Sequence, residues 1–70
     1  MYTITTGGTT SEKAIELVLR KIKKAGFNTA RICRNTKGFY IHVMQTASPT
    51  IAQKAKKTIT ALGYSAEVEE

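Results

Sequence analysis

His42 and Cys33 are the only histidine and the only cysteine in 70 residues, so a nucleophile, a general base or a soft metal ligand would have to be built around them. Covalent catalysis needs a nucleophile within hydrogen-bond reach of a base that a third group orients. Nothing in the spacing of this chain requires Cys33 or a serine, His42 and a carboxylate to meet, and no enzyme activity is expected. One cysteine cannot close an internal disulfide, and no Cys/His cluster has metal-ligand spacing, so neither a metal nor another cofactor is expected. What remains is recognition chemistry. The candidate ligand contacts are the hydroxyls of Thr3 and Thr5, the guanidinium of Arg31, the ring of Tyr40, the imidazole of His42 and the thioether of Met44, with Cys33 and Glu67 on the same surface. Hydroxyls, one ring and one imidazole suit a carbohydrate or a stacked base better than a metal or an activated water.

These residues share a surface only if strands carry them, and a repeat supplies the strands. Laying the chain on itself at an offset of 37 residues pairs Ile4 with Ile41, Thr9 with Thr46, Ser11 with Ser48, Ile22 with Ile59 and Gly26 with Gly63. The same offset pairs Tyr2 with Phe39 and Phe27 with Tyr64, so two copies of one small unit are expected, about residues 2–36 and 39–70. Each copy opens on a strand. In the second, Phe39, Ile41 and Val43 alternate with Tyr40, His42 and Met44; in the first, Tyr2 and Ile4 alternate with Thr3 and Thr5.

A helix follows in each copy. Thr9 with Glu12 reads as a capping box, and Ser48 with Pro49 as an N-cap with proline in the first helical position. Ile15, Val18, Leu19 and Ile22 line one side of the first helix; Ile51, Ala52, Ala55, Ile59 and Leu62 line one side of the second. Gly26 and Gly63 stop the helices in the left-handed conformation, and Phe27 and Tyr64 fold back on the last turn. A short strand closes each copy, about 29–34 with Ala30 and Ile32 inward and about 65–69 with Ala66 and Val68 inward. A hairpin turn near Asn35 to Gly38 joins the copies. The chain is then an α+β, ferredoxin-like βαββαβ domain spanning residues 1–70. Right-handed crossovers put both helices on one face of a four-stranded antiparallel sheet and leave the other face open.

The composition agrees with one soluble-type domain: 41% hydrophobic and 23% charged residues. No apolar run exceeds three residues, which leaves no membrane span, and no membrane partner is expected. Met1 to Thr10 lacks the features of a secretory signal, so the chain is expected to be cytoplasmic as made, or to be part of a larger protein of the cell wall or extracytoplasmic space. Its formal net charge of +6 favours an anionic partner. Much of that charge crowds the helices, as Arg20, Lys21, Lys23 and Lys24 near the end of the first and Lys54, Lys56 and Lys57 on the second. Complementing a helix dipole accounts for part of it, at about 0.3–1 kcal/mol per charge.

YTITTGG (residues 2–8) and FYIHVMQ (residues 39–45) resemble the paired strand openings of SPOR domains, the sporulation-related repeat. AGFNTARI and LGYSAEV are similar to that family's Gly-aromatic helix ending and following strand, so the resemblance covers nearly the whole chain. It implies a non-catalytic module that binds peptidoglycan glycan strands across the open sheet, carried by a bacterial or phage wall hydrolase such as an amidase or endolysin. Thr5 and His42 stand where the family places a glutamine. Its Gly-Ala pair is kept in part as Gly7 and Gly8 and is replaced by Met44 and Gln45 in the second copy.

A second reading comes from KGFYIHVM (residues 37–44), which resembles the aromatic stretch of an RNA recognition motif and implies binding of single-stranded nucleic acid. That stretch needs Phe39 and Ile41 to face outward, whereas the apolar alternation assigns them to the core. A small phage protein that binds a host protein is a third reading, and the open sheet or an edge strand also allows a homodimer.

Overall fold

Both helices begin at a serine in extended backbone and end at a glycine of positive φ. α1 (Glu12–Lys24) is capped by Ser11 and α2 (Pro49–Ala61) by Ser48, with φ, ψ of −92°, 116° and −93°, 117°. Each serine hydroxyl accepts the amide proton three residues on, from Ala14 and Ile51, at 3.3 Å in both. Thr9 is therefore not the N-cap that the capping-box reading made it. Its hydroxyl sits one step earlier and accepts from the Ser11 amide at 3.1 Å, as Thr46 does from Ser48.

At the other end the Gly26 and Gly63 amides reach Lys23 and Thr60 carbonyls at 3.0 Å, and the Phe27 and Tyr64 amides reach Ile22 and Ile59 carbonyls at 3.3 Å. These are two matched Schellman endings, with Gly26 and Gly63 at φ 110° and 94°. The five identities of the repeat thus divide into caps (Thr9/Thr46, Ser11/Ser48, Gly26/Gly63) and buried isoleucines (Ile4/Ile41, Ile22/Ile59). All five serve the fold.

The computed structural model describes Met1 to Glu70. Strands β1 (Tyr2–Thr9), β2 (Arg31–Asn35), β3 (Gly38–Thr46) and β4 (Ala66–Glu69) form one antiparallel sheet in the order β2-β3-β1-β4. Ile4, Ile41 and Val43 from the central strands meet Ile15 and Ile22 of α1 and Ala52, Ala55 and Ile59 of α2 in one cluster. Both helices therefore cover one face, giving a ferredoxin-like α+β arrangement.

α2 buries a narrower stripe than its apolar residues suggest. Ile51 and Leu62 are 48% and 40% exposed. Ile51 is about 100° around the helix from Ala52, and Leu62 lies past the last turn as the C-cap. β2 and β4 begin slightly later than expected, at Arg31 and Ala66. A turn in which the Ala30 amide bonds the Phe27 carbonyl at 3.1 Å delays β2, while Ala30 and Ile32 keep the inward phase.

Two irregularities interrupt the central β1·β3 pair. Ile4 lies opposite Met44 and Thr5 opposite His42, so Val43 is an extra residue on β3. A bulge of this kind turns two successive side chains to one side. Val43 is buried in the core and Met44 packs against it, so Met44 does not belong to the open face. Gln45 takes that place, donating from Nε2 to Thr3 Oγ1 at 3.0 Å. Gly8 is the extra residue on β1, between the pairs Gly7↔Tyr40 and Thr9↔Phe39.

The β2–β3 hairpin turns through Thr36 and Lys37, neither with positive φ, and Asn35 Oδ1 accepts from the Lys37 amide at 2.9 Å. Gly38 takes the left-handed position at φ 132°, where a Cβ would lie 2.5 Å from the Thr9 carbonyl oxygen. Backbone cannot move aside as a side chain can. Gly38→Ala should cost about 1–3 kcal/mol in backbone strain, before the clash is counted, as read by chemical denaturation.

Candidate functional site

The open face is set by which residues pair across it. Three rows cross the sheet: Gln45, Thr3 and Glu69; then Arg31, His42, Thr5 and Glu67; then Cys33, Tyr40 and Gly7. In each row β1 contributes the smallest group. Long side chains of β3 and β4 stand on either side of a strand whose positions in these rows are threonine and glycine, so a trough runs along β1. Its volume is about 600 Å³, and Phe39 and Tyr40 are the only hydrophobic residues among the 13 that line it.

Thr3 and Thr5 form the floor, Tyr40 and His42 one wall, and Glu67 and Glu69 the other; Asn35 and Lys37 reach its hairpin end. Thr6 points to the opposite face, buried, its hydroxyl donating to the Ser65 carbonyl across β1 and β4. Gly7 has a φ of 93°, which favours glycine, and a Cβ there would point to the helix side, 2.8 Å from Ile15 Cδ1, so this position puts no side chain into the trough.

Four of the six expected contacts, Thr3, Thr5, Tyr40 and His42, meet in the trough. Arg31 lies in the second row but on edge strand β2, outside it. Met44 is on the helix side. The sequence reading passed over Glu69 and Gln45. Glu69 shares the phase of Glu67 and could have been found by alternation, whereas Gln45 is outward only because of the bulge.

The charge is segregated. Eight of the eleven Lys and Arg lie on the helices against two acids, Glu12 and Glu16, so the helix layer carries the whole net charge of +6. The remaining Arg31, Arg34 and Lys37 are matched in number by Glu67, Glu69 and Glu70. Arg34 is not among the residues that line the trough; its guanidinium carbon lies 5.9 Å from the centre of the Phe39 ring. Glu67 and Glu69 therefore set the potential along one whole wall.

The Tyr40 phenol is pushed above its ordinary value, first by the neighbouring Cys33, through charge and a side-chain hydrogen bond, then by loss of solvent and by Glu69, with Arg31 opposing. It stays neutral at physiological pH, a ring with a hydroxyl able to donate and accept. No group of three or more His, Cys, Asp or Glu is placed to hold a metal ion. The arrangement can clasp a narrow, hydroxyl-rich chain: ring and imidazole on one side, carboxylate acceptors on the other, threonine hydroxyls beneath. No family model matches the chain, and neither does any curated protein or solved structure.

Proposed function

We propose that the chain is a non-catalytic glycan-binding module whose ligand lies along the trough on β1, the ligand being the peptidoglycan glycan strand that the SPOR resemblance implies. The observation that carries this reading is the uncharged, hydroxyl-lined floor between an aromatic wall and a carboxylate wall. A sugar offers an apolar ring face to Tyr40 and many hydroxyl donors to Glu67, Glu69 and Thr5. Targeting a bacterial or phage wall hydrolase is the role proposed for such a module. Single-stranded nucleic acid fits this face less well. Ile41 is buried in the core, which leaves Phe39 without its outward partner for stacking, and Glu67 and Glu69 would repel phosphates.

The test is cosedimentation with purified sacculi, before and after an amidase removes the stem peptides. Binding should strengthen after treatment and respond weakly to salt; retention unchanged by the amidase, or a steep salt dependence, would count against the reading. Tyr40→Ala should weaken retention by about 3- to 10-fold, the range an aromatic contact contributes.

A further inference from the structure

We propose that the helix layer, on the side away from the trough, docks on the surface of an anionic lipid bilayer. The fold itself does not require the charge found there. α1 and α2 end in the same Schellman geometry, yet α1 has Lys21, Lys23 and Lys24 in its last turn and α2 has no basic residue in its own. Dipole complementation is thus dispensable for this ending. The lysines of α2 sit in mid-helix, where there is no terminus to complement, and α2 contains no acid.

Apolar side chains stand among these cations. Leu17 is 58% exposed. Lys13, Arg20, Lys21 and Lys24 lie at i−4, i+3, i+4 and i+7 from it, which places all four around Leu17 on the outer face of α1. On α2 and its cap, Ile51 and Leu62 are exposed as well. A leucine ringed by lysines adds nothing to the capture of a phosphate backbone, but it can enter the acyl boundary while the lysines hold lipid headgroups.

The shape agrees. The molecule measures 32 × 24 × 18 Å, a slab with both helices on one side of the sheet. The expectation of no membrane partner rested on the lack of a spanning segment, and no helix here is long and apolar enough to cross a membrane. A peripheral contact needs no span. This inference does not depend on what occupies the trough.

The experiment is cosedimentation of the full chain with phosphatidylglycerol-containing vesicles, with pure phosphatidylcholine vesicles and duplex DNA as the other arms. Binding to the anionic vesicles alone, weakening with salt, is expected. Lys21→Glu with Lys24→Glu should reduce it at least ~25-fold, since each cation near such a surface contributes about fivefold. Leu17→Ser should reduce vesicle binding several-fold and leave any DNA binding unchanged. Three results would overturn the proposal: no anionic-vesicle binding, equal binding to phosphatidylcholine, or vesicle binding untouched by Leu17→Ser. Tight DNA binding without vesicle binding would assign the face to nucleic acid instead.

Discussion

Ile41→Ala lowers the unfolding free energy by about 2–5 kcal/mol, the cost of a fully buried large-to-small change with its residual cavity. Ile41 has no exposed surface and sits on a central strand, opposite Thr6 of β1 and Ile32 of β2. A chain of this size buries only about 60% of its unfolded surface, which leaves a small reserve. Small domains commonly have about 5–15 kcal/mol in all, so one deletion can consume a large share. Urea denaturation followed by circular dichroism checks this. A midpoint unchanged from the parent chain would mean that Ile41 faces water and that the two sheet faces are assigned backwards.

Thr5→Trp should do the reverse, leaving the fold standing while abolishing recognition. Thr5 lies at the middle of the floor, paired with His42 on one side and Glu67 on the other. An indole there would occupy much of the trough. Because the half-buried side chain lies on the trough side and not in the core, stability should change by no more than about 1 kcal/mol, the span of strand preferences. Retention on amidase-treated sacculi should fall at least ~10-fold, given that about 1.4 kcal/mol is one decade and a blocked floor removes several contacts at once. Retention equal to the parent's, in a chain shown to be folded, would remove the trough from consideration as the binding site. Binding to anionic vesicles should be the same in both proteins.

The repeat made most of the architecture readable. Serine and glycine at matched positions define where a helix can start and stop, and isoleucines at helical and strand spacing define what it covers. The N-cap was misplaced because Thr9 and Ser11 both offer a hydroxyl and only the backbone decides which one caps. Met44 was misassigned for a different reason. Alternation along a strand presumes an unbroken ladder, and the extra residue Val43 reverses the phase beyond it. The trough itself could not be read from either strand alone. It arises from the contrast between small side chains on β1 and long ones on β3 and β4, and so it depends on strand order and register.

The offset that matches the caps also matches floor with wall: Thr3 corresponds to Tyr40 and Thr5 to His42. Two identical half-length peptides assembled about a twofold axis would present the same row of side chains from both central strands, with equal residues meeting at the axis, where Thr5 faces His42. One strand could not then stand lower than the other along its length. A single polypeptide carries no such constraint. One copy forms the hollow and the other the ridge, an asymmetry closed to a strict homodimer of half-length chains.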